Sequence, residues 1–113
     1  MMNEKTFSLL AVSPIDGRYS GKCSELSEIF SEFGLIKRRV LVECAWLEAL
    51  CDAKEIKEAK SLSAVERKAL RKIAGEFSVE DALRVKEIER TTNHDVKAVE
   101  YFLKEKVAGT SIE

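Results

Sequence analysis

An all-α fold is the class this sequence predicts, and three observations predict it. The 113 residues include one Pro and five Gly, with 45% hydrophobic and 35% charged side chains. Such a composition is rich in helix formers and poor in the turn residues that a β-sandwich needs. From residue 24 onward, apolar side chains recur at steps of three and four, the spacing of one helix face. Ser63-Ala64-Val65-Glu66 has the S-x-x-E spacing of a capping box, which marks a helix start. At this length one compact unit is expected.

In chain order, residues 1–23 lack helical periodicity and hold the sole Pro with Gly17 and Gly21, so they read as an extended or looped arm. Ser24 is a plausible N-cap for a helix with Leu26, Ile29, Phe30 and Phe33 on one side. Ile36, Val40, Trp46, Leu47 and Leu50 carry the pattern on to about Ala53, which predicts one long helix, kinked or split near Gly34. The next helix begins at Ser63, presents Val65, Ala69, Leu70 and Ile73, and meets Gly75 where a C-cap glycine would end it. Ser78 offers another cap, with Glu80 and Asp81 favoured in the first turn by the helix dipole, and Leu83, Val85 and Ile88 carry that helix to about Arg90. Asp95 can cap a last helix with Val96, Val99, Phe102 or Leu103, and Val107 on its apolar side, closed by Gly109. The predicted organisation is an arm over 1–23 and a helical domain over 24–113, with four to five helices in an orthogonal or bundle-like cluster. Trp46 and the Phe residues are expected in its core, and the charged runs Lys54–Lys60 and Lys104–Lys106 on solvated faces and helix ends.

Nineteen basic residues oppose twenty acidic ones, a net charge of −1, so no overall field draws the chain to nucleic acid or to an anionic membrane. Any anion site must be local. Cys23, Cys44 and Cys51 are odd in number and lack CxxC pairing, which excludes a cysteine zinc site and points to reduced thiols in a cytoplasmic protein. Cys44 and Cys51, seven apart, share a helix face as small buried hydrophobes. Nothing approaches the ~18 apolar residues that span a bilayer, and the first residues lack a signal-peptide cleavage site. With one histidine and no phosphate-cradling or dinucleotide-binding glycine motif, neither metal nor cofactor is expected.

Two stretches have no packing explanation. Asp16-Gly17-Arg18-Tyr19 sets a flexible Gly before an Arg and an aromatic. Backbone and guanidinium can both approach an anion there, and the planar fork suits phosphate. An ordinary turn with a surface Arg18 and a packed Tyr19 fits the same residues. Thr91-Thr92-Asn93-His94-Asp95 joins two predicted helices. Its position before a helix N-terminus suits an anion, and His94 can act as donor, acceptor or acid. A structural histidine in a helix–helix loop is the alternative, and Arg90 serves either as an anion contact or as a charge favouring its helix end.

VSPIDGRY at 12–19, FSEFGLIKRRVLVECAWL at 30–47 and ERTTNHDVKAVEYFLKEKV at 89–107 together resemble the N-terminal region of bacterial adenylosuccinate lyases, within the fumarase and aspartase superfamily. The likeness covers nearly the whole chain. It implies the N-terminal helical domain of that superfamily and an enzyme that eliminates fumarate from adenylosuccinate, giving AMP, and from the succinyl-carboxamide ribotide of purine synthesis. It implies that Arg18 and Tyr19 contact the nucleotide, that Asn93, His94 and Asp95 line the substrate pocket, and that His94 supports the acid. It also implies a homotetramer whose active sites draw on three chains. A central bundle, a second substrate loop, the principal catalytic His and a mobile loop with the base Ser do not occur in these 113 residues. The chain alone is therefore expected to fold without turning over substrate. A helical interaction or anion-binding module with no catalysis is the other reading of the residues.

Overall fold

A computed structural model describes residues 3–56 and 59–112. Two residues of the charged run 54–60, the first two of the predicted arm and Glu113 at the end of the predicted helical domain lie outside the described residues. Among those described there are six α-helices and no strand: α1 Glu4–Leu10, α2 Ser24–Phe30, α3 Glu32–Asp52, α4 Ala64–Gly75, α5 Val79–Thr92 and α6 Asp95–Val107, with a short 3-10 turn at Ser20–Cys23. The all-α expectation holds. Contacts divide the chain into two compact units, Met1–Gly34 and Leu35–Glu113.

The first unit holds a helix that the expected extended or looped arm did not include, followed by turns. Asn3 Oδ1 accepts the Thr6 N–H at 2.8 Å and starts α1, a local Asn-x-x-Thr cap outside any longer periodic pattern. Residues 13–23 then form successive turns, closed by the Asp16 N–H on Ser13 O at 3.0 Å and the Tyr19 N–H on Pro14 O at 2.8 Å. Phe7, Leu9, Leu10, Val12, Ile15, Leu26, Ile29 and Phe30 are all exposed, so local hydrogen bonds rather than an apolar core order this unit. The long helix expected from Ser24 breaks at Ser31 instead of Gly34. Ser31 is extended, at φ −75° and ψ 167°, and its Oγ accepts the Gly34 N–H at 3.0 Å, so it ends α2 and caps α3. Gly34 is required for a different reason: a Cβ there would lie 2.6 Å from the carbonyl oxygens of Glu28 and Ile29.

The second unit holds the buried apolar side chains. Ile36, Val40, Cys44 and Cys51 line one face of α3, Leu70 and Ala74 come from α4, Ala82, Val85 and Ile88 from α5, and Ala98, Val99 and Phe102 from α6. Phe102, 1% exposed, meets the Phe77 ring edge to face at a centroid distance of 5.5 Å. The expected capping box forms at Ser63 with Glu66, and the cap expected at Ser78 forms as a second capping box with Asp81. Gly75 is the last residue of α4 rather than its cap, a place taken by Glu76.

Trp46 corrects the sequence reading, since it is 59% exposed. It lies two residues past Cys44, about 200° around the helix at roughly 100° per residue, and so faces away from the buried stripe. Leu41, Val42, Leu83 and Val96 are exposed for the same reason of phase. Phe7 and Phe30 are exposed too, so among the described residues only Phe77 and Phe102 meet the core expectation for the Phe set.

Polar bonds set how α4 and α6 lie on their neighbours. Arg67 of α4 reaches Glu48 at 3.1 Å and Asp52 at 2.9 Å on α3, and Arg71 reaches Glu48 at 2.8 Å. On α5 and α6, Arg84 Nε donates to Glu105 at 3.0 Å and Lys106 pairs with Asp81 at 3.3 Å, which makes the two helices antiparallel. Cys44 and Cys51 are buried and unpaired, as expected. Burial, with Glu43 and Glu48 nearby, pushes the Cys44 thiol up to about 11, so it packs as an unreactive small hydrophobe. No helix among the described residues is long and apolar enough to cross a membrane.

Truncating the central and the outward aromatic is expected to cost very different amounts. Phe102→Ala is expected to lower unfolding stability by about 3–5 kcal/mol, and Trp46→Ala by no more than about 0.5 kcal/mol, in paired urea titrations.

Candidate functional site

The α5–α6 turn is two residues long, and its geometry follows from one of them. Asn93 closes α5 in the left-handed region, at φ 52° and ψ 31°, with its N–H on Glu89 O at 2.7 Å. Among the described residues it is the one non-glycine residue with a positive φ. Asn tolerates this conformation better than most side chains because its short polar group bonds locally. The chain then extends at His94, φ −147° and ψ 114°, which caps α6. The cap expected at Asp95 is therefore made one residue earlier.

His94 caps with its ring. Nδ1 accepts the Lys97 N–H at 3.1 Å, a bond that needs an unprotonated Nδ1 and so places the neutral imidazole's proton on Nε2. Thr92 holds the same residue by its backbone, its Oγ1 accepting the His94 N–H at 3.3 Å and donating to the His94 carbonyl at 3.2 Å. The ring is exposed, and Nε2–H has no partner among the described residues. The Asn93 carboxamide is likewise exposed and unpartnered. A fixed N–H donor and an adjacent amide thus stand at the tip of the hairpin.

Asp95, in the first turn of α6, is engaged on both oxygens. Oδ2 accepts from Arg39 Nη1 of α3 at 2.8 Å, and Oδ1 from the Val96 N–H at 2.8 Å. The Arg39 bond first, then the Val96 bond, holds this carboxyl below the usual aspartate range. A groove of about 980 Å³ runs beside the turn, with Thr91, Thr92 and Lys97 near the turn and Tyr101 farther along α6.

In the first unit the turn at residues 14–19 winds about one carbonyl. Pro14 O accepts the N–H groups of Gly17 at 3.2 Å and Tyr19 at 2.8 Å. Gly17 is buried, and a Cβ on it would lie 2.3 Å from the Ser8 carbonyl oxygen of α1, so only glycine fits. Immediately after it Arg18 and Tyr19 are exposed, with the guanidinium carbon 5.2 Å from the Tyr19 ring centroid. Lys22 Nζ lies 5.8 Å from the same centroid. Of the five predicted site residues, then, Arg18 and Tyr19 share this turn, and Asn93, His94 and Asp95 share the α5–α6 turn.

Residues 17–113 match the family model described as lyase. The chain belongs to the lyase family. Over 101 residues, 89% of its length, it is 60% identical to the adenylosuccinate lyases of Vibrio cholerae and Escherichia coli. It is 51% identical over 104 residues to that of Dictyostelium discoideum. The chain spans 22% of the length of each of these relatives.

Arg39 beside Asp95 and Lys22 beside Tyr19 were not singled out in the sequence reading. Arg39 is 56 positions from Asp95, and no local pattern reports such a pair. Lys22 carried a usable signal, its three-residue spacing from Tyr19 within a tight turn.

Asp95 gives the site a testable pH dependence. With its folded carboxyl held below the unfolded value, the Arg39 pair stabilises the fold above the ordinary aspartate range, and that contribution disappears as pH falls through the folded value. Carboxyl-detected NMR titration is expected to show Asp95 protonating below the ordinary aspartate range, and Arg39→Met to move it back toward that range.

Proposed function

We propose that this chain forms the N-terminal helical region of an adenylosuccinate lyase. The observation that carries the reading is 60% identity, over 89% of the chain, to proteins of that name. The free polar groups at the two turns are consistent with it. The reaction divides adenylosuccinate into AMP and fumarate, and the succinyl-carboxamide ribotide into its carboxamide ribotide and fumarate. In each, a base takes the proton from the carbon next to a carboxylate, the carbon–nitrogen bond breaks with its electron pair going to nitrogen, and an acid protonates that nitrogen.

Arg18 and Tyr19 are assigned to the nucleotide, the guanidinium to its phosphate. Asn93 and His94 are assigned to substrate hydrogen bonds, because the carboxamide and Nε2–H have no partner among the described residues. His94 in this role supports the acid by holding a neutral donor against the substrate. Asp95 lies beside them with its carboxylate engaged by Arg39 and Val96, so it orients the turn. None of these steps calls for a metal or an organic cofactor.

The complete protein is proposed to be a cytoplasmic homotetramer. Three unpaired cysteines fit a reducing compartment, and the exposed Leu41, Val42 and Trp46 on α3 fit a helix covered in a larger assembly. The 113 residues taken alone are assigned no turnover, since the base and the principal acid are not among them.

The test is a chimera in which this chain replaces the equivalent region of the Escherichia coli relative. The expected result is fumarate release from adenylosuccinate by the chimera and none by the 113-residue chain alone. His94→Ala in the chimera is expected to lower kcat/KM by about 100-fold or more. A chimera that assembles but is inactive, or one indifferent to His94→Ala, contradicts the assignment.

A further inference from the structure

Lys22 has no role in the proposed reaction, yet it lies against the same aromatic ring as Arg18. The Lys22 N–H donates to Tyr19 O at 3.0 Å, the bond of a 3-10 turn, in which side chains three apart eclipse one another. That turn brings Lys22 Nζ to 5.8 Å from the Tyr19 centroid while the Arg18 guanidinium carbon lies at 5.2 Å. Neither cation makes an ion pair among the described residues, although Asp16 and Glu25 are near in sequence. Elsewhere the arginines at positions 39, 67, 71 and 84 have carboxylate partners, and Arg90 has none among the described residues. Two cations left unneutralised beside one ring repel each other, and an anion relieves that repulsion.

We propose that Lys22 is a second cation of the Arg18–Tyr19 site and that this pair selects a phosphate monoester dianion. The inference rests on the reading of Arg18 and Tyr19 as nucleotide contacts and adds to it a residue and a charge requirement. A phosphate monoester carries about −1.5 to −2 charges near pH 7, which one arginine leaves half compensated and two cations match. The roles differ in kind. Arg18 offers a planar fork for two parallel bonds, and Lys22 a compact charge on a flexible stem. The Tyr19 ring lies within cation–π range of both.

The experiment is an NMR titration of the 15N-labelled 113-residue chain with AMP, with adenosine as the uncharged control. AMP is expected to move the amides of residues 17–22, and adenosine to leave them in place. Lys22→Met, which keeps the stem and removes the charge, is expected to weaken AMP binding about tenfold, and Lys22→Arg to retain it. Arg18→Met is the reference for loss of the site itself. If AMP binds at residues 17–22 and Arg18→Met weakens it while Lys22→Met does not, the role of Lys22 is overturned and the nucleotide reading stands. If AMP leaves residues 17–22 unmoved in the unsubstituted chain, both are overturned.

Discussion

Asn93 in the left-handed region is the constraint on which the second unit is arranged. It lets α5 end and α6 begin within two residues, so the helices run back along each other in a single register. That register places Arg84 opposite Glu105 and Asp81 opposite Lys106, and it turns Ala98, Val99 and Phe102 inward. One residue more or fewer in the turn would rotate α6 by about 100° and carry Val99 and Phe102 out of the core. The short connection that packs the hairpin also decides which polar groups remain at its tip. His94 must cap α6 with Nδ1, and Nε2–H is what is left.

The two turns are ordered by different physics and leave different chemistry free. At residues 14–22 there is no apolar core, and the backbone bonds to Pro14 together with the close seat of Gly17 on Ser8 hold the shape. What remains exposed is positive charge against an aromatic ring. At residues 92–95 a packed hairpin and the Arg39–Asp95 pair hold the shape, and neutral donors remain exposed.

Much of this was legible in the sequence because it is local. Ser63 and Ser78 bond three residues ahead, inside the window in which cap spacing can be recognised, and both helices start where that spacing puts them. Helix existence followed from periodicity, but helix facing did not. Trp46 matched the apolar pattern as a residue type and failed it in phase, because only the buried set Ile36, Val40, Cys44 and Cys51 fixes which side of α3 is inward. The first α-helix was hidden for the opposite reason: its Asn3 cap is present, but seven residues give too short a run to show a period. At the site, the residue types were visible and their states were not. The free Nε2–H of His94 depends on a bond from Lys97, and the engaged carboxylate of Asp95 depends on a partner half the chain away.

The central claim is that the α5–α6 turn fixes His94 as a neutral Nε2–H donor. Long-range 1H–15N correlation of the imidazole ring, recorded at alkaline pH, tests it most directly. The geometry predicts a pyrrole-like, proton-bearing Nε2 and a pyridine-like Nδ1, with Asn93→Pro disrupting the turn and returning the ring to a mixed population. A neutral ring carrying its proton on Nδ1 in the unsubstituted chain would contradict the claim.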